Sequence, residues 1–256
     1  MGNQSTKQFM SDITSPPVIP PRPVIPGQTT LPALGELPAD REPIKGLFGV
    51  VEALLREPRR LLYHLRNPGW GQLAFSLLVV STGCSLLYGL VVGSFSMGTQ
   101  LWAVPLKVAG GLILSTLICL PSLYIFACLS GSRASLGEIV GLVSAVVALT
   151  GILLMGFAPV AWLFSQSTQS VVWMGALHLL LWLVAVGFGG KFLIAGFVHS
   201  SARSTSGVTF WVLLFLLVTV QMTTTLRPLV GKADTFFPVE KKFFLKHWGD
   251  SMNTND

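Results

Sequence analysis

The chain has 256 residues, of which 51% are hydrophobic and only 11% are charged, and its formal net charge is +6. Soluble domains carry about a quarter charged residues, so a water-facing globule cannot hide this much apolar surface. Five apolar runs are long enough to cross a hydrocarbon core of about 30 Å as helices. The composition therefore predicts an all-α, polytopic transmembrane helical bundle, because helices satisfy their own backbone groups in lipid.

Residues 1–41 are rich in proline, and the tetrapeptide PVIP occurs twice among them. Proline fixes φ and removes a backbone donor, which predicts an extended or disordered tail. Proline-rich PxxP segments bind the aromatic grooves of partner domains, although a solvated spacer is the alternative that such a composition allows. The candidate docking residues are Pro17, Pro20, Pro23 and Pro26.

Residues 42–68 are predicted to form two amphipathic helices just before the first span. Apolar side chains repeat at helical spacing from Ile44 to Leu55, and Pro58 opens a second, leucine- and arginine-rich piece. Basic and apolar residues together beside a span are typical of helices on the membrane surface, with anionic lipid headgroups as their partner. Packing against the protein's own loops is the alternative.

The transmembrane domain is predicted to cover residues 69–230. Lys and Arg are concentrated before the first span, with one arginine each in the second and fourth connections, while the first and third connections carry no charge. The positive-inside rule then predicts a cytoplasmic N-terminus in the cell membrane. Residues 231–256 are predicted to be a polar, amphipathic C-terminal tail. The predicted spans are residues 72–93, 105–130, 136–163, 170–197 and 207–227.

Three charged residues, Lys107, Glu138 and Lys191, lie near the predicted ends of the spans. Each is close enough to a span end for its side chain to reach water, which predicts interface anchors. The alternative is a charge held inside the membrane for a functional reason. Lys191 poses that question most directly, because it interrupts a long apolar run.

Polar residues within the spans are few. His178 is the only titratable side chain at depth apart from the cysteine thiols, and Gln221 and Thr223 lie in the polar end of the fifth span. These three are the candidate functional residues inside the membrane, and packing or hydrogen bonding between helices is the alternative for each. Pro121 and Pro159 are predicted to kink their helices.

The sequence contains no catalytic signature. HExxH, GxSxG and P-loop motifs are absent, and the four histidines lie in different regions. The three cysteines form no CxxC pair, so neither a zinc site nor a disulfide framework is predicted. The basic residues form no groove for nucleic acid. The chain is therefore predicted to be non-catalytic, with no cofactor, no metal and no nucleic-acid partner.

The segment "LLREPRRLLYHLRNPGWGQLAFSLLVVSTGCSLLYGL" combines a proline-headed helix with a short NPGW entry into the bilayer, and "LSGSRASLGEIVGL" follows the second span. Over about residues 50–230 these features resemble the Yip1-domain family of five-span membrane proteins. The resemblance implies a cytoplasmic N-terminus, five helices and a non-enzymatic role in membrane organisation or trafficking through protein partners.

Two classes of function follow from these patterns. The first is a membrane-organising or trafficking scaffold, or a subunit of a membrane complex, that acts through a protein partner or a homo-oligomer. The second is a small-solute transporter or channel-like permease, suggested by Pro121, Pro159 and the threonine-rich fifth span.

Overall fold

The computed structural model of the protein describes residues 32–96, 100–132, 134–167, 171–199 and 206–225. The elements belong to one compact unit that begins at Ala33. No β-strand occurs in these ranges, so the predicted all-α class is confirmed. A 3-10 turn, Pro38–Arg41, precedes the α-helices, which we number in chain order: α1 Gly46–Arg56, α2 Pro58–Arg66, α3 Trp70–Ser96, α4 Gln100–Leu129, α5 Leu136–Ser167, α6 Val171–His199 and α7 Ser206–Thr225.

Four helices, α3 to α6, are long and apolar enough to cross a membrane. The fifth predicted span corresponds to α7, whose apolar stretch Ser206–Met222 is shorter. The whole of α7 has 20 residues, which at about 1.5 Å per residue matches a hydrocarbon core of about 30 Å. The predicted transmembrane bundle is therefore present, with four long helices and one short one.

Helix α5 lies at the centre of the bundle. In its most apolar stretch 67% of the residues are buried within the protein, against 33% to 44% in the other three long helices. It packs against α3 on one side and α6 on the other, and α7 packs mainly against α4. The hydroxyl of Ser81 in α3 donates to the carbonyl of Val147 in α5 at 3.1 Å. A polar bond thus joins the two most extensively packed helices.

Helix α4 begins five residues before its predicted start and runs through Pro105 and Pro121, as α5 runs through Pro159. A proline inside a helix removes one hydrogen bond and crowds the preceding turn. Pro105 lies against Gly89 of α3, where a Cβ would stand only 2.5 Å from the Pro105 Cα. The missing side chain at Gly89 lets the two backbones meet at this level.

Residues 33–66 form a cap at one end of the bundle, which we call the cap end. Leu61, Leu62 and Leu65 of α2 are buried, at 0%, 5% and 1% exposure. A Cβ on Gly141 of α5 would lie 2.8 Å from Leu65, and one on Gly196 of α6 would lie 3.4 Å from Leu62. The apolar face of α2 therefore packs against helices α5 and α6 of the protein itself, where the sequence offered its loops as the alternative to a membrane surface.

An ion pair joins the cap to the central helix. The Nε of Arg66 donates to Glu138 Oε1 at 2.6 Å, and both side chains are largely covered. The backbone N–H of Glu138 also donates to Ser135 Oγ at 3.2 Å, which caps the start of α5. The bond fixes the end of α2 over the first turn of α5.

The predicted end of the proline-rich tail, at residue 41, is wrong, because the compact unit already begins at Ala33. Asp40 lies inside the predicted tail, yet it is 3% exposed. Its carboxylate accepts hydrogen bonds from the Gly35 N–H at 3.0 Å and from Arg59 at 3.3 Å. Gly35 has a φ of +89° and lies against the ring of Tyr63, where a Cβ would clash. The folded part therefore includes residues 33–41.

We expect Gly89→Ala to destabilise the bundle by about 1–3 kcal/mol, because the new methyl group must displace the backbone at Pro105. Gly83→Ala in the same helix is the control. Nothing lies within 4 Å of its Cβ position, and alanine is the better helix former. Heating both variants in detergent and measuring the folded fraction by size exclusion tests this. Equal loss of stability in the two variants would contradict the close approach.

We expect Arg66→Gln to loosen the cap, because Glu138 then loses a charged partner in a largely covered site. The expected cost is about 1–2 kcal/mol. Arg56→Gln is the matched control, since its pair with Glu52 is exposed and 3.7 Å long and such pairs contribute less than about 1 kcal/mol. Limited proteolysis of the cap by chymotrypsin, which cleaves after aromatic residues and leucine and keeps all its sites in both variants, is the measurement. A cap that is cleaved at the same rate in both variants would show that the Arg66 bond does not hold it.

Candidate functional site

Helices α3 and α6 bring Tyr88 and His178 together inside the bundle. The Tyr88 hydroxyl and His178 Nδ1 share a hydrogen bond of 2.7 Å, and the rings meet edge to face with their centroids 5.7 Å apart. Exposure is 1% for Tyr88 and 8% for His178. A buried tyrosine requires a partner for its hydroxyl, and the imidazole supplies it. His178, predicted from its depth alone, therefore belongs to a defined pair.

The second ring nitrogen of His178, Nε2, is buried and makes no hydrogen bond to any of the described residues. Whichever nitrogen carries the proton, Nε2 remains a polar atom in an apolar surrounding, at a cost of about 1–3 kcal/mol. Such an atom is able to bond a water molecule or a polar group of a solute.

Three hydroxyls share this condition within the described ranges: Ser85 of α3, Ser115 of α4 and Thr219 of α7 are buried without a hydrogen-bond partner. Other buried hydroxyls are bonded, as when Thr116 and Thr150 donate to carbonyls of their own helices at 2.7 and 2.9 Å. With His178 Nε2, four helices each contribute to the interior one polar atom that bonds none of the described residues.

Lys107 is buried in the bundle, with 2% exposure. The expectation that its side chain reaches water is wrong. Helix α4 starts at Gln100, which makes Lys107 the eighth helical residue instead of the third and places it about 8 Å farther along the helix, on a side that the fold covers. The second span thus does contain a charged residue that the fold covers.

The other two predicted anchors lie towards the cap end. Glu138 is paired with Arg66, so its carboxylate joins the cap to α5. Lys191 is exposed on α6, and its Nζ lies 5.6 Å from the centre of the Phe188 ring. A cation over a ring, on a stem that runs along an apolar helix, suits an interfacial lysine. The anchoring role of Lys191 stays a prediction.

The remaining predicted site residues are less closely defined. Gln221 is half-buried in α7, and Thr223 lies in the last turn of the same helix. The docking prolines Pro17, Pro20, Pro23 and Pro26 lie outside the described residues, as does the predicted C-terminal tail of residues 231–256.

Two interior contacts were missed by sequence reasoning. One is Tyr88 as the partner of His178. The other is Trp211 of α7, whose Nε1 donates to the Cys119 carbonyl at 2.9 Å and to Ser122 Oγ at 3.1 Å, on both sides of Pro121. A Tyr or Trp within an apolar span is the available signal, because its polar tip needs a partner in lipid.

Within the described part of the chain, no group of three or more His, Cys, Asp or Glu side chains is placed to hold a metal ion. No family model, curated protein or solved structure matches this chain.

We expect Tyr88→Phe to lower the free energy of unfolding by about 1–3 kcal/mol, because His178 Nδ1 loses the buried hydroxyl that bonds it. Tyr124→Phe, on the exposed surface of α4, should change it by less than about 0.5 kcal/mol. Thermal denaturation in detergent measures both.

The double variant Tyr88→Phe with His178→Leu should regain part of the loss, since both polar groups are then removed. A loss in the double variant equal to the sum of the single losses would contradict the pairing.

Proposed function

We propose that this membrane protein is a non-catalytic scaffold that organises a membrane, or a complex within it, by binding protein partners. The observation that carries the proposal is the cap. Arg66 of the cap bonds Glu138 at the start of α5, and Leu62 lies against Gly196 near the end of α6. Arg59 donates to the carbonyl of Ala33 at 3.4 Å. Ala33, the first residue of the compact unit, is thereby held in the cap.

The packing of the bundle agrees with this proposal. A Cβ on Gly189 of α6 would lie 3.0 Å from side-chain atoms of Val146 and Thr150 in α5. A Cβ on Gly151 of α5 would lie 3.1 Å from the carbonyl oxygen of Ser81 in α3. Close backbone approach at small residues is how membrane helices associate without a hydrophobic driving force. A tightly joined bundle suits a fixed platform. The resemblance of the sequence to the Yip1-domain family implies the same role, and membership of that family stays a prediction.

The test is co-purification in a mild detergent. The intact chain is compared with a chain lacking residues 1–31, a cut that preserves the bonds of Asp40 and Ala33 in the cap. Alanine at Pro17, Pro20, Pro23 and Pro26 provides a finer variant. We expect a stoichiometric protein partner with the intact chain, and its loss from both variants. A partner-free homo-oligomer from all three chains would overturn the proposal.

A second function, passage of a small polar solute, is supported by one observation. The unpaired atoms of Ser85, Ser115, His178 and Thr219 are contributed by four different helices. Saturable flux into proteoliposomes that His178→Ala or Gln221→Leu abolishes, and that Tyr124→Phe leaves intact, would replace the scaffold proposal with transport. Unchanged permeability in every chain would exclude it.

A further inference from the structure

Helix α1 has an apolar side that the protein leaves uncovered. Phe48 is 93% exposed, more than any other large hydrophobic side chain in the described residues, and Leu47 and Leu55 are 47% and 50% exposed. The opposite side is buried, with Val50, Ala53 and Leu54 at 4%, 0% and 3% exposure. The exposed side chains lie outside the long membrane-spanning helices.

The surface of α1 divides into three sectors. A helix turns about 100° per residue, so Leu47, Val51, Leu55 and Phe48 form one continuous apolar sector beside the buried one. Glu52 and Arg56 form the third sector, with side chains 59% and 79% exposed. The helix therefore has one side that contacts protein, one apolar exposed side and one charged side. These three sides match a position where protein, lipid and water meet.

The contacts of the cap fix its depth. Helix α5 has 32 residues and is about 48 Å long, so it extends about 9 Å beyond each side of a hydrocarbon core of about 30 Å. Leu65 of the cap lies against Gly141, about 8 Å from the start of α5. Leu62 lies against Gly196 of α6, about 5 Å from the end of that helix. The cap is therefore level with the lipid headgroups.

Helix α1 also packs against a membrane-spanning helix that has exposed apolar side chains. It packs against α2, α3 and α5, and α3 exposes Phe75 at 68% and Val79 at 40%. Lys45 precedes the first turn of α1 and is exposed, and Arg56 ends the helix. Two cations at the ends of an exposed apolar sector complement the phosphates of a headgroup layer.

From this geometry we infer that the sector Leu47, Phe48 and Leu55 of α1 inserts into the phospholipid leaflet at the cap end, with Lys45 and Arg56 at the headgroup phosphates. The sequence assigned a membrane surface to α1 and α2 together. The structure separates them, because α2 is buried in the protein and α1 alone presents an apolar sector outward. The inference is independent of the scaffold proposal, since a transporter would need the same contact with lipid.

Photo-crosslinking of the full chain in phospholipid nanodiscs tests the inference. The variant Phe48→benzoylphenylalanine keeps a large aromatic side chain at the central position. The same substitution at Phe75, which is exposed on a membrane-spanning helix, is the positive control, and at Glu52, in the charged sector of α1, the negative control. Adducts are identified by mass spectrometry.

The expected result is a lipid adduct at position 48 in a yield similar to that at position 75 and several-fold above that at position 52. A cross-link to a second copy of the chain or to another protein, with no lipid adduct, would overturn the inference and assign the sector to a protein interface. A lipid yield at position 48 no higher than at position 52 would also overturn it, because α1 would then face water.

Discussion

The contact on which the rest of this molecule depends is the packing of α5 into its neighbours. Lipid tails are as apolar as the helices, so burial of apolar surface alone does not hold them together. What distinguishes α5 is close fit: its Gly151 receives Ser81 of α3, and its Val146 and Thr150 receive Gly189 of α6. The cap docks on the first two turns of the same helix. One helix thus positions the Tyr88–His178 pair, whose members come from its two flanking helices.

Polar groups in the interior fall into two sets. One set joins elements, as in the Ser81 bond to Val147 and the Trp211 bond to Cys119. The other set, on four helices, has no partner among the described residues. In an apolar surrounding the first set contributes specificity of packing, and the second has a cost that the surrounding contacts must offset.

The sequence was sufficient to predict where the helices lie along the chain, but not which side of each helix faces the rest of the protein. Apolar runs long enough to span a membrane are easily recognised in a sequence, but a helix that is apolar all round gives no indication of which side faces protein. Lys107 and Lys191 are both single lysines in such helices, yet one is covered and the other exposed. The partner of Glu138 is 72 residues away, and that of His178 is 90 residues away. Asp40 was misjudged because nearby prolines obscured a local fold that Arg59 and Gly35 complete.

The bond between Arg66 and Glu138 has a consequence for the order of synthesis. A ribosome makes the cap before the surfaces that receive it. Glu138 and Gly141 follow two complete long helices, α3 and α4, and Gly196 follows three. Until then Leu61, Leu62 and Leu65 have no protein to cover them. Because α2 is amphipathic, it is able to bind the membrane surface until the helices that cover its leucines have been made.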